Sequence, residues 1–196
     1  MRSVFIATLA LSLIFTHAIY SDFEEETLLR GPVDHGGFGG PVVKATEIND
    51  EFALLVGGRG GWIIDHTFVI GFGGYGLVND IDAESSKFGR NLELGYGGLE
   101  LEFILASRKL LHLSVGGLIG AGGLTYRDRD FDGFDGPDDA FFIAEPNISL
   151  MLNVTPYFRI GFGGSYRFIH DVEFGEFNDS DLSGPSAMLT FKFGEF

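Results

Sequence analysis

Hydrophobic and polar residues alternate with a period of two along most of the chain. The segment 156–169 shows the pattern most clearly, because one face carries the even positions Phe158, Ile160, Phe162, Gly164, Tyr166 and Phe168. Its charged and small residues fall at odd positions, namely Arg159, Gly161, Gly163, Ser165 and Arg167. This spacing predicts a β-strand with one apolar face and one polar face.

Eight segments share this character, and polar stretches separate them. Their approximate bounds are 36–48, 51–64, 67–78, 90–105, 109–126, 140–153, 156–169 and 185–196. After residue 18, no stretch reaches the roughly 18 consecutive apolar residues that a membrane helix needs. The sequence therefore predicts an all-β protein of eight strands.

The connections between these segments alternate between short and long. The short links 65–66, 107–108 and 153–155 alternate with long acidic links at 79–89, 127–139 and 170–184. The first link, Asn49-Asp50, is short where a long one is expected. An even number of antiparallel strands, with tight turns at one end and long loops at the other, is typical of outer-membrane barrels. We predict an eight-stranded antiparallel transmembrane up-and-down β-barrel.

The N-terminus carries the features of an export signal. Arg2 precedes a compact apolar run at 4–15, and Ala18 offers a small residue for cleavage. This pattern predicts a secretory signal peptide over 1–18, with a buried N-terminal helix as the alternative. The expected organisation is then a periplasmic linker over 19–35 and a barrel over 36–196, in the cell outer membrane.

Composition narrows the function classes. The 196 residues contain no Cys, which excludes disulfides and a lipid anchor on an N-terminal cysteine. The formal net charge of −15 argues against nucleic-acid binding.

The architecture of residues 36–196 resembles the small eight-stranded outer-membrane barrels of the outer-membrane protein A transmembrane-domain type. The chain also ends in aromatic residues, as Phe191-Lys192-Phe193-Gly194-Glu195-Phe196. The resemblance implies contact with outer-membrane lipids and recognition of Phe196 as an assembly signal by the barrel insertion machinery. The preceding apolar residues alternate out of phase with Phe196, and a bulge at Gly194 is expected to restore the phase.

Glycines recur in two similar segments, Ile70–Gly76 and Ile160–Tyr166. The first fits the G-x-G-x-x-G of dinucleotide-binding folds, but no helix follows it, so a nucleotide site is not expected. A barrel of eight strands has an interior only wide enough for side chains, and glycine leaves room for larger neighbours. At Gly97-Gly98 we expect the outward face to change phase, from Leu92, Leu94 and Tyr96 to Leu99, Leu101 and Phe103.

Charged residues of the strands are predicted to face the barrel lumen, because Arg on the lipid face would cost about 2–4 kcal/mol at the membrane midplane. They are Lys44, Arg59, Glu93, Glu100, Glu102, Glu145, Arg159, Arg167 and Lys192. Four acids and five bases would nearly neutralise each other in a salt-bridge network. The alternative is that Glu100 and Glu102 act as a catalytic acid and base.

One loop has the pattern of a calcium site. The stretch 128–139 contains D-x-D-x-D-G, as in the calcium loop of EF-hands. The candidate ligands are the carboxylates of Asp128, Asp130, Asp132 and Asp139 and the main-chain carbonyl of Phe134. The flanks are strands rather than helices, so a solvated acidic loop is the alternative. Apart from Ca²⁺, we expect no cofactor.

The remaining candidate chemistry is sparse. His35, His66, His112 and His170 show no metal-ligand spacing, although His112 and Ser114 share one face of a strand. We expect a non-enzymatic barrel with a closed charged lumen, acidic extracellular loops and a structural or surface-interaction role. The alternatives are a lipid-A deacylase or acyltransferase and a narrow pore, the latter weakened by the crowded lumen.

Overall fold

The computed structural model describes residues 32–81, 91–127, 139–172, 174 and 177–196. The chain divides into two units, and the barrel is the second, Val33–Phe196. The predicted signal peptide and all but the last residues of the predicted linker lie outside the described residues. His35, which we had assigned to the linker, is the first residue of β1.

Eight strands form the barrel, and each matches one of the predicted segments to within two residues at either end. They are β1 (His35–Ile48), β2 (Glu51–Ile64), β3 (Phe68–Leu77), β4 (Asn91–Leu105), β5 (Leu111–Arg127), β6 (Asp139–Thr155), β7 (Phe158–His170) and β8 (Gly184–Glu195). A short helix, α1 (Asp179–Leu182), precedes β8. Each strand pairs antiparallel with the next, and β1 pairs with β8. The predicted fold class is confirmed.

Tight turns fix the strand order and register. Asn49 and Asp50 have φ values of 52° and 61°, and Asp65 and His66 have 50° and 53°. Asn, Asp and His adopt this left-handed conformation more readily than other non-glycine residues. We call the end that holds the 65–67, 106–110 and 156–157 connections the short-turn end. The opposite end, with the three long connections and the 49–50 turn, is the long-loop end.

Strand β4 keeps one phase through its whole length, so the predicted change of phase at Gly97-Gly98 is wrong. Its pairing with β3 and β5 runs through both glycines without a shift. Leu92, Leu94 and Tyr96 are buried on the same inner face as Glu100 and Glu102. The inward side chains of β4 are apolar near the start of the strand and charged further along it.

The lumen is filled in three layers. At the long-loop end, side chains from the strands join Val172, Phe174, Phe177 and Leu182 of the β7–β8 connection in one apolar cluster. Buried charges form the middle layer. A smaller apolar cluster closes the short-turn end. Within the described part of the chain, no helix is long and apolar enough to cross a membrane.

Candidate functional site: the charged layer of the lumen

The charged layer contains two linked groups, and Glu145 is the centre of the first. Its Oε2 atom lies 2.7 Å from Nζ of Lys44 and accepts a 2.9 Å hydrogen bond from the Tyr96 hydroxyl. Its Oε1 atom accepts a 2.7 Å bond from the Ser165 hydroxyl. Lys44 Nζ also lies 3.4 Å from the centroid of the Tyr75 ring. Both oxygens of this buried carboxylate therefore have partners, as burial requires.

Arg59 is the centre of the second group. Its Nε atom lies 2.6 Å from Oε2 of Glu100, and its Nη2 atom lies 2.7 Å from Oε2 of Glu102. Lys192 Nζ approaches Oε1 of Glu102 at 2.6 Å, and the Tyr75 hydroxyl donates to Oε1 of Glu100 at 2.7 Å. Tyr75 thus joins the two groups, since Lys44 lies over its ring.

This geometry suits holding the barrel wall together better than acid–base chemistry. Glu100 and Glu102 are 4 % and 3 % exposed, and both are bound to the same guanidinium. A buried pair is sustained only by good geometry and added hydrogen bonds. Both carboxylates accept hydrogen bonds here, although the contact of Arg59 Nε with Glu100 is not aligned as one.

Glu93 is the one predicted lumen charge that the structure places elsewhere. Its neighbours Leu92 and Leu94 are buried in the lumen cluster, so Glu93 lies on the outer face of β4, half-buried. The prediction was wrong because it assumed that leucines face outward. With Glu93 outside, the described lumen holds three acids and five bases.

The two remaining bases lie at the ends of the layer. Arg159 is 7 % exposed, and its guanidinium carbon lies 3.9 Å from the centroid of the Phe196 ring. Arg167 is completely buried and donates from Nε to the main-chain oxygen of Leu182 at 2.6 Å. Neither guanidinium has a carboxylate within 4 Å among the described residues.

Phe196 closes the short-turn end from inside. No bulge occurs at Gly194, because Gly37 pairs with Glu195 and Phe38 with Gly194 in continuous register. The Phe196 ring packs on the small apolar cluster of Phe38, Ile63, Val69 and Ile104. The expected bulge is therefore absent. Phe191 and Phe193 do not share the inward side of Phe196, and their rings lie 6.4 and 4.7 Å from that of Phe158 between centroids.

The histidines that the structure describes are not gathered into one site. His112 is buried in the lumen, with Nδ1 3.3 Å from the main-chain oxygen of Lys109, while the Ser114 hydroxyl is hydrogen-bonded to Glu102. His66 pairs with Asp34 at 3.3 Å at the short-turn end, and His170 pairs with Asp179 at 3.0 Å at the long-loop end. His112 and Ser114 thus have separate partners.

Asp179 orders the connection between β7 and β8. It accepts a 2.8 Å hydrogen bond from the Val172 N–H as well as its contact with His170. The hydrogen bond from Val172, and then that from His170, lower the pKa of the exposed Asp179 carboxyl. The Asn178 side chain caps α1, so the segment has defined structure over the barrel mouth.

Most of the candidate calcium loop, residues 128–138, lies outside the described residues. Asp139 opens β6, and its Oδ1 atom accepts a 2.9 Å hydrogen bond from the Ala140 N–H. Among the described residues, no three His, Cys, Asp or Glu side chains are placed to hold a metal ion. The calcium site therefore stays a prediction.

The alternation of polar and apolar residues does not identify the neutral partners of the lumen charges. Tyr75, Tyr96 and Ser165 satisfy the buried carboxylates, and Tyr96 had been assigned to the outer face. For the two tyrosines the signal is strand register: Tyr75 pairs with Tyr96, close to the level at which Gly71 pairs with Glu100.

No protein-family model matches this sequence, and the comparison with curated proteins gives no match. Among solved structures, the chain is similar to Neisserial surface protein A, with 11 % identity over 84 % of this chain and 99 % of that one, and a TM-score of 0.60. It also matches Ail of Yersinia pestis, with 11 % identity over 82 % and 97 % of the two chains and a TM-score of 0.46. The first similarity supports the fold, that of a small eight-stranded outer-membrane barrel.

Proposed function

We propose that this protein is an outer-membrane barrel with a closed lumen and a structural or surface-interaction role. The observation that carries the proposal is the distribution of side chains over the wall. Large apolar residues face outward and are highly exposed, as with Phe72 at 70 %, Ile119 at 68 % and Phe162 at 67 %. A soluble protein rarely leaves so much apolar surface in water, whereas membrane lipids cover it.

The ends of the barrel indicate its orientation. In bacterial outer-membrane barrels the short turns face the periplasm and the long loops face the outside. The long connections of this chain are acidic, and Glu47, Asp50 and Glu51 add to them at the first turn. The long-loop end of the barrel would thus present a strong negative charge outside the cell, and this charge favours cationic partners over polyanions.

Two other functions have less support. A pore is disfavoured because apolar clusters fill the lumen on both sides of the charged layer. A lipid-A deacylase or acyltransferase needs a serine or histidine activated near the rim, but His112 and Ser114 lie buried at the periplasmic end with separate partners.

Cell fractionation tests this proposal. We expect the protein in outer-membrane fractions of the cells that express it. We also expect the folded form to run at a different position on unheated gels than after boiling, because a closed barrel resists detergent. Recovery as a soluble periplasmic protein would contradict the proposal.

We also propose that the acidic loop binds one calcium ion through Asp128, Asp130, Asp132, Asp139 and the Phe134 carbonyl. Extracellular sites of this kind have dissociation constants of about 0.1–1 mM. Calorimetry on the refolded protein is expected to show one site, which Asp130→Ala removes and Asp82→Ala, in another acidic connection, leaves intact. The absence of heat up to about 10 mM calcium, well above that range, would leave a solvated acidic loop.

A further inference from the structure

Arg167 occupies an unusual position at the extracellular end of the lumen. Its side chain is completely buried, and its hydrogen-bond partners among the described residues are neutral oxygens. These are the main-chain oxygens of Leu182, at 2.6 Å, and Glu47, at 3.4 Å, together with the Tyr96 hydroxyl. Its Nη1 atom has no hydrogen-bond partner among the described residues.

Glu145 lies on the neighbouring strand, but its carboxylate already has other partners. The pairs Ile143–Ile169 and Asn147–Ser165 on either side place Glu145 of β6 opposite Arg167 of β7. Glu145 is instead bound by Lys44, Tyr96 and Ser165. Removing a guanidinium from water is costly unless an anion accompanies it, so Arg167 is a buried cation whose charge is only partly compensated.

The lumen cluster at this end of the barrel is apolar. The strands contribute Leu94, Phe141, Ile143 and Ile169 to the cluster at this end of the lumen. From above, the β7–β8 connection inserts Phe177 and Leu182, which are 3 % and 0 % exposed. The Leu182 side chain thus fills apolar space while its main-chain oxygen accepts from the guanidinium.

We propose that residues 177–183 form a displaceable plug, and that the space it fills is a binding site for an apolar molecule with a carboxylate head group. The head group would replace the Leu182 oxygen on Arg167 and also reach Nη1, forming the paired bonds that a guanidinium makes to a carboxylate. The apolar chain would replace Phe177 and Leu182 against the lumen cluster.

Besides the bond from Arg167 to Leu182, the described contacts of the plug with the wall include a 3.0 Å contact between Asp179 and His170, the last residue of β7. The Asn49 N–H donates to the Asp181 oxygen at 2.8 Å, and the Ile169 N–H donates to the Ser183 hydroxyl at 3.0 Å. Displacing the plug reduces the apparent affinity by the fraction of time for which the site is open. Loosening the plug must therefore raise affinity, whereas removing the cation must lower it. The acidic rim slows the approach of an anion, and salt relieves this repulsion because the Debye length is only about 8 Å at physiological ionic strength.

The test uses laurate with a nitroxide on its chain, and the barrel in lipid nanodiscs with labelled Leu and Ile methyl groups. Dissolved in the bilayer, the probe broadens the outward Leu99 and Ile119 signals in every sample. Bound in the site, it also broadens the inward Leu94 and Ile143 signals, with saturation. Three variants are then compared with the original protein by the laurate concentration that half-saturates the inward signals.

Arg167→Met is expected to raise that concentration about tenfold or more, as the loss of a charge-assisted pair implies. Arg159→Met, which removes the buried arginine of the other end, is expected to leave it unchanged. Ser183→Ala keeps Arg167 and loosens the plug, so it is expected to lower the concentration. Inward signals that never broaden in the original protein, or that respond equally in Arg167→Met, would overturn the proposal. If Arg167→Met does not fold, Ser183→Ala tests the proposal alone. A half-saturating concentration that is not lowered in this variant would overturn the proposal.

Discussion

Replacing Glu102 by Gln is expected to lower the free energy of unfolding by about 3–5 kcal/mol, the cost of breaking a buried pair by removing one partner. The reason is that Glu102 binds both Arg59 and Lys192 at 2.6–2.7 Å, with the carboxylate almost fully buried. Without its charge, two cations remain close together in a lumen that already has more bases than acids. Denaturant unfolding of the refolded barrel in lipid vesicles measures the change.

Glu51→Gln is the control, because it removes the same charge at an exposed position, the first residue of β2. We expect it to change the free energy of unfolding by no more than about 0.5 kcal/mol, as is usual away from buried networks. Equal effects of the two substitutions would show that Glu102 does not hold the charged layer together.

The second large effect is expected at Gly98, where β4 and β5 approach each other closely. A Cβ atom there would overlap the main-chain oxygen of Ile119 on β5. Gly98→Ala must therefore push β4 and β5 apart, at a cost of about 1–3 kcal/mol, the range for overpacked interiors. The same unfolding experiment gives the value.

Gly74→Ala provides the comparison on the outer face. A Cβ atom added to Gly74 would lie 3.7 Å from the main-chain oxygen of Tyr96, which is an ordinary contact. Gly74 is also exposed. Alanine there is expected to leave stability unchanged or slightly raise it, since glycine is the more flexible residue in the unfolded chain. If Gly98→Ala were as harmless, close strand approach would not explain the inward glycines.

The number, bounds and order of the strands could be predicted from sequence because alternation and turn spacing record them directly. In β7, for example, arginines, serine and glycines occupy one face, and aromatic residues the other, so the inner face is unambiguous. The same holds for β6, where the predicted inward Glu145 is buried.

The errors share one physical cause, which is that the lumen is apolar at both ends. Near the long-loop end of β4, leucines face inward and Glu93 faces outward, so an apolar residue no longer marks the lipid side. At the other end, Phe196 is apolar and faces inward as well. The partners of Arg167 could not be predicted, because main-chain oxygens of a distant segment supply them.

Spin labels on single cysteines test the central claim most directly, because the chain has no cysteine of its own. The claim is that lipid surrounds the apolar outer face while the lumen stays closed. In lipid bilayers, labels at Phe72, Ile119 and Phe162 are expected to collide readily with oxygen and rarely with a water-soluble nickel complex. A label at the Asp50 turn is expected to show the reverse. Ready collision of the nickel complex with all three wall labels would contradict a membrane-inserted barrel.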